Sequence, residues 1–250
     1  MKSIFLIISL SIFILCSYAR SSDFEPNLIF YADYENKEIN SGNINVGSVS
    51  TAADSIMIDC NRARRGHCSL KSSVENSSAY ISYGALRSET DATKVSGVIY
   101  KNGDHFRYLF SILIDDQWGP SDPDSVDIIW QFKRFASGPD MFIALKNNAI
   151  VWRITESDQK IILTPIIKGK WIDFYFDIHW ANDEKGIANV RVSVDGADSR
   201  FSFFGRNMRI SSSDSGTIQW GLYKPGDRSF FNFIRHSINH DEIYIYKFHK

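Results

Sequence analysis

The strongest constraint in this chain is a repeated two-residue alternation. Ten short runs carry it: LIFYADYE, AYISYGAL, FRYLFSILI, VDIIWQFK, MFIALK, AIVWRITE, WIDFYFDIHW, ANVRVSVDG, TIQWGLYK and EIYIYKF. Successive side chains of an extended strand point to opposite faces, so such runs bury one face and wet the other. Gly, Asn, Asp and Pro separate the runs, and helical periodicity is scarce. This pattern predicts an all-β sandwich or jelly roll. Asn147-Asn148 and Asp195-Gly196 read as hairpin turns. Ile172, Phe174, Phe176, Ile178 and Trp180 share one face and point to an inter-sheet core. With no repeat, linker or composition shift, residues 24–250 read as one domain.

Composition narrows the function classes. The 250 residues carry a formal net charge of -1, which gives no basic field for nucleic acid. Aromatics make up 14% of the chain, enough to fill a sandwich core and to leave some for stacking on sugars. No HExxH, GxSxG or phosphate-loop pattern is present, so zinc-protease, serine-hydrolase and NTPase chemistries have no support. Residues 1–19, MKSIFLIISLSIFILCSYA, have the charged start, apolar run and small-x-small end of a secretion signal. A secreted, extracellular mature chain starting near Arg20 is expected, with no membrane span. In that oxidising setting Cys60 and Cys68 would pair as a structural disulfide. Asn76 opens a glycosylation sequon, Asn76-Ser77-Ser78.

Three runs place polar residues two apart, hence on one strand face. They are Arg87 and Glu89; Gln131 and Lys133; and Thr217, Gln219, Gly221 and Tyr223. Strict alternation groups Ile129 with Gln131 and Lys133, opposite Trp130 and Phe132. Each pair by itself suits the solvated face of an edge strand; together they suit a polar cluster on one sheet.

These pieces, in order, resemble the glucuronan-lyase-like polysaccharide lyases of the heparin lyase I type. ALRSET resembles the family's R-x-E strand, RYLFSILIDDQW its aromatic strand and acidic loop, and VDIIWQFK its Q-x-H strand. GKWIDFYFDIHWAND with VRVSVDG resembles its G-x-W and hairpin segment, WGLYK its G-x-Y-K strand, and HDEIYIYKF its closing strand. The resemblance implies a concanavalin-like β-jelly roll with a substrate groove on one concave sheet. It also implies β-elimination of a 4-linked uronate. That reaction must neutralise the uronate carboxylate, take the C5 proton and protonate the leaving O4. On the matching positions, Arg87 and Gln131 would hold the carboxylate and Tyr223 would be the catalytic phenol.

Two positions depart from the family pattern: Lys133 stands where it has His, and Gln219 where it often has Lys. An ammonium with a reference pKa of about 10 is a poor base beside an imidazole. In D-glucuronate and D-mannuronate, H5 and O4 lie on one ring face, so a single group can move the proton. Tyr223 would be that group, with Lys133, Lys224 or Arg87 favouring its phenolate form. Lys133 thus fits syn elimination and argues against anti elimination. Lys224, Gln219 and His179 are expected to contact substrate, and His179 is an alternative base. The expected partner is an acidic, polyglucuronate-like polysaccharide bound by a monomer. No cofactor is required, although Glu35 and Asp241, on first and last strands that would pair, are candidate ligands for a structural Ca2+. The acidic segment DDQWGPSDPDSVD reads as a loop at the groove edge. Two other readings stand beside the lyase: a lectin-like module that lost catalysis with the His, and a glycoside hydrolase. The last needs two carboxyls across the bond, and no E-x-D-x-E strand is present.

Overall fold

The computed structural model describes residues 26–39, 47–51, 54–78, 84–119, 126–135, 138–155, 157–204, 214–226 and 233–249. The signal segment, residues 79–83 of AYISYGAL and 120–125 of the acidic loop lie outside these. In chain order the strands are β1 (Asn27–Ala32), β2 (Gly47–Thr51), β3 (Ile56–Asp59), β4 (Ser69–Glu75), β5 (Leu86–Asp91), β6 (His105–Ile114), β7 (Asp127–Arg134) and β8 (Pro139–Lys146). There follow β9 (Ala149–Ile154), β10 (Gln159–Pro165), β11 (Trp171–His179), β12 (Ile187–Val194), β13 (Ala197–Phe204), β14 (Gly216–Lys224) and β15 (Arg235–Phe248). They form two antiparallel sheets. One, of eight strands, runs β13-β12-β11-β6-β15-β4-β3 with β1 also paired to β15; the other, of seven, runs β10-β9-β8-β7-β14-β5-β2. This is the jelly roll that the alternating runs predict.

The hairpins sit where the turn formers stand. Asn147 and Asn148 (φ 50° and 60°) join β8 to β9, and Asp195 and Gly196 (φ 50° and 82°) join β12 to β13. Two successive positive φ values are what a two-residue hairpin loop needs to match strand twist.

Aromatic rings fill the space between the sheets. Phe110 of β6 stacks on Trp130 of β7 at 3.9 Å between centroids and 4° between planes. Ile172, Phe174, Phe176 and Ile178 of β11 are all buried toward this core, as their alternation predicts. Two of the buried indoles find partners: Trp180 donates to Tyr108 Oη at 3.1 Å and Trp220 to Tyr34 Oη at 2.9 Å.

Alternation fails in β7, and the failure matters for the polar residues on that strand. The β7–β8 register shifts between Ile128 and Trp130, a β-bulge. Ile129 and Trp130 therefore both belong to the inter-sheet core, and Ile129 does not share a face with Gln131 and Lys133 as strict alternation predicts. Ile128 joins Phe142 and Ala144 in a separate apolar cluster that Tyr223 borders. His240 of β15 crosses the core to bond the Ile129 carbonyl through Nε2 at 3.0 Å. Burial pushes the His240 pKa down to about 3, so the ring is neutral and Nε2 carries the proton.

Cys60 and Cys68 are joined, closing the loop before β4. Glu35 and Asp241, the candidate Ca2+ ligands, both brace that loop. Glu35 Oε1 accepts the N–H groups of His67 and Cys68 at 2.8 and 2.9 Å, and Asp241 Oδ2 accepts that of Arg64 at 2.7 Å. Gly66 (φ 66°) lets the loop close on Glu35, since a Cβ there would lie 2.5 Å from its carboxyl. Among the described residues these carboxylates belong to no three-ligand cluster.

The stack across the core yields a stability prediction. Phe110→Ala should cost about 3–5 kcal/mol, read as a lower urea midpoint with an unchanged slope.

Candidate active site

Strands β7, β14 and β5 lie side by side in the seven-stranded sheet, running from its middle strand β7 toward the β2 edge. Their register turns three one-dimensional spacings into one patch. Arg87 lies opposite Tyr223, Glu89 opposite Gly221, Gln219 opposite both Asp91 and Gln131, and Thr217 opposite Lys133. The core side of each strand is occupied by Ile218, Trp220, Leu222, Trp130 and Phe132, so these polar residues face outward. Arg87, Gln131, Lys133 and Tyr223, expected from the sequence to act together, are gathered on one face with Gln219.

Glu89 is the hub of the patch. It is 0% exposed. Its Oε1 accepts the Gln131 amide N–H at 2.6 Å, and its Oε2 lies 3.5 Å from Arg87 Nε. Burial pushes its pKa up to about 7, against the pull of Arg87 and the Gln131 bond. Arg87 in turn lies over the Tyr223 ring, its Cζ 4.0 Å from the ring centroid. Lys133 is half-buried, with Nζ 3.3 Å from the Arg134 carbonyl oxygen. Burial, followed by the charges of Arg87 and Arg134, lowers its pKa. Arg87 and Lys133 bring positive charge to the patch, set against the buried carboxyls of Glu89 and Asp91.

Two further features suit a ligand. Gln219 Oε1 and Thr217 Oγ1 are buried and lack hydrogen-bond partners among the described residues. Such groups are rare in native interiors and mark places where polar partners arrive from elsewhere. Gly221 has φ 130°, and a Cβ there would sit 2.2 Å from the Ser88 carbonyl oxygen and 2.9 Å from Glu89 Cα. Only glycine lets β14 lie against Glu89 at this point.

Other expected site residues lie elsewhere. Lys224 points away from the patch: it is 1% exposed, bonded to Asp127 Oδ1 at 2.6 Å and set over the Phe233 ring. Alternation explains this, because Lys224 follows the outward Tyr223 by one residue. His179 lies on β11 of the eight-stranded sheet, so it cannot line a groove on the other one. Asn76 follows β4 in a turn and is partly exposed, as a sequon asparagine needs to be. Glu89 was visible in the R-x-E spacing, but its central position emerges only from the register.

The fold is thus a jelly roll with Arg87, Lys133 and Tyr223 gathered on the outer face of one sheet. Residues 32–246 match the polysaccharide lyase family model, and the chain belongs to that family. Among solved structures it is similar to an endo-β-1,4-glucuronan lyase from the fungus Trichoderma reesei, with a TM-score of 0.63, 20% identity and coverage of 88% of this chain and 95% of that one. It is also similar to a glycoside hydrolase family 131 catalytic domain from Coprinopsis cinerea (TM-score 0.62, 14% identity, 88% and 94% covered). A third is a PL-14 alginate lyase from Aplysia kurodai (TM-score 0.57, 9% identity, 88% and 98% covered). At these identities the likenesses establish the fold. No curated protein matches the sequence.

The raised Glu89 pKa has a consequence for stability. A folded-state pKa above the unfolded one gives stability that is complete below the ordinary carboxylate range and is lost as pH rises through about 7. Glu89→Gln should therefore flatten the fall in thermal midpoint between about pH 5 and about pH 8, measured by calorimetry. Asp241, also raised to about 7 by burial, titrates in the same window. The difference between the variant and the parent isolates Glu89.

Proposed function

We propose that the protein is a secreted lyase that cleaves a 4-linked, glucuronan-like uronate polymer by β-elimination, acting as a monomer. The observation that carries this reading is the convergence of Arg87, Gln131, Lys133 and Tyr223 around buried Glu89 on one sheet face. Arg87 and the second amide N–H of Gln131 bind the uronate carboxylate and withdraw its charge, which makes the C5 proton removable. Glu89 holds both donors in place from below. Tyr223 takes the C5 proton and returns it to O4 on the same ring face, so the C4–O4 bond breaks and a C4–C5 double bond forms. Lys133 adds positive charge beside the developing dianion, in the position where the family pattern has His. The likeness to a glucuronan lyase supports a polyglucuronate substrate.

The fold is shared with a glycoside hydrolase domain, so hydrolysis is the reading to weigh. It needs two carboxyls flanking the bond, one of them able to protonate the leaving oxygen. Among the described residues, Glu89 on the patch is fully buried, Asp91 is 6% exposed and bonded to the backbone N–H and hydroxyl of Thr93, and Asp214 lies near enough for its charge to act on Lys133. Neither Glu89 nor Asp91 is exposed enough to flank a sugar. Lys133 in the His position favours the alternative of an acidic-glycan-binding module without catalysis.

Mixing the mature protein separately with polyglucuronate, polymannuronate, alginate and heparin, and following the ultraviolet absorbance of the conjugated uronate, decides between these. Absorbance should rise with polyglucuronate or polymannuronate. Tyr223→Phe should lower kcat by about 10²–10⁴-fold. Lys133→Ala should also lower kcat, and an unchanged rate would remove Lys133 from the mechanism. No rise with any polymer, from protein still retained on an acidic-glycan column, would identify a binding module.

A further inference from the structure

On the opposite side of the molecule, the outer face of the eight-stranded sheet carries a second constellation. His105 and His179 are register partners at one end of the β6–β11 ladder, and their rings stack at 3.6 Å. Asp177 lies two residues before His179 and therefore on the same face; its Oδ1 is 2.7 Å from His105 Nε2. One ligand atom from each of the three lies within 4.8 Å of the others, and no other such trio occurs among the described residues. We propose that His105, Asp177 and His179 form a surface site for a borderline divalent transition metal, with Zn2+ as the physiological candidate.

The donor chemistry selects the metal class. Two imidazole nitrogens and one carboxylate oxygen suit Zn2+, Ni2+ or Cu2+, whereas Ca2+ and Mg2+ call for all-oxygen shells. Ligand distances of about 2.0–2.2 Å in a tetrahedral shell place donor atoms about 3.4 Å apart. The trio reaches this by a small opening of the 2.7 Å His105–Asp177 contact and an inward turn of the exposed His179 ring. The remaining coordination positions face solvent on the His179 side.

The surroundings are arranged as metal ligands need. The second carboxylate oxygen, Asp177 Oδ2, accepts bonds from Arg107 Nε and Nη2 at 3.1 and 3.0 Å, which fixes Oδ1 toward His105. Phe248 stacks on His105 at 3.8 Å and 7°, on a strand that pairs with β6 there, and limits the imidazole to one orientation. The nearby cations are already engaged: Arg107 with Asp177, and Lys247 with Asp104 Oδ1 at 3.2 Å. A bound metal would tie β11 to β6 where the last residues of β15 pack, and would act as a staple at the end of the chain's final strand. It would stabilise the folded state by mass action.

The test uses tag-free, chelator-treated mature protein. Calorimetric titration with ZnCl2 should show one site, the thermal midpoint should rise with Zn2+ and not with Ca2+, and Co2+ should give a visible ligand-field band. His179→Ala, at an exposed position that the fold does not need, should weaken Zn2+ binding at least about tenfold and remove the Co2+ band. Unchanged Zn2+ affinity in that variant, or no saturable Zn2+ binding by the parent protein, would overturn the assignment. The readouts are independent of lyase turnover, so failure here leaves the reading of the Tyr223 face untouched.

Discussion

The structure depends first on a flat contact between two rings. Phe110 and Trp130, centroids 3.9 Å apart, join the central region of one sheet to the central region of the other. Close-packed interiors leave no room for a strand to rotate once such a contact is made. With Trp130 and Phe132 committed inward, Gln131 and Lys133 have only the outer face available. The same holds for β14, where Ile218, Trp220 and Leu222 occupy the core and Gln219 and Tyr223 must face out. The polar patch is a consequence of how the apolar side is filled.

On that patch, a single buried carboxyl organises the rest. Glu89 in the middle of a sheet, at 0% exposure, would be costly without partners. It has Gln131 and Arg87, and they in turn are held by it. The cost of burial appears as a pKa pushed up to about 7. The return is rigidity: the Arg87 and Gln131 donors are held in one arrangement, which lowers the ordering cost of any ligand they bind. Arg87 is oriented further by lying over the Tyr223 ring, which couples the positions of these two side chains.

Much of the fold and part of the site were legible in the residues themselves. Period-two runs announced the strands, and the Asn-Asn and Asp-Gly pairs announced two hairpins that carry the required positive φ angles. Arg87, Gln131, Lys133, Gln219 and Tyr223 could be grouped because side chains two apart share a face. The misplacements have equally local causes. Ile129 was assigned to the polar face because a β-bulge is invisible to strict alternation. Lys224 looked like a substrate contact until the parity of β14 turned it inward onto Asp127. His179 read as groove-lining because nothing in FDIHW says which sheet its strand joins. The bracing of the disulfide loop by Glu35 Oε1 and Asp241 Oδ2 was likewise out of reach of the sequence, since those contacts span 32 to 177 residues.

The sequence by itself determined the strand content, the hairpin turns and the side-chain types available for chemistry, because these follow from backbone sterics and from a periodicity that acts over a few residues. Only the tertiary structure decided which strands neighbour one another, and so which residues meet. Arg87 and Tyr223 are far apart in the chain and opposite each other in the sheet. His105 and His179 likewise meet only through the β6–β11 ladder. Register between distant strands is set by the packing of two complete apolar faces against each other, a cooperative property that no single run of residues contains.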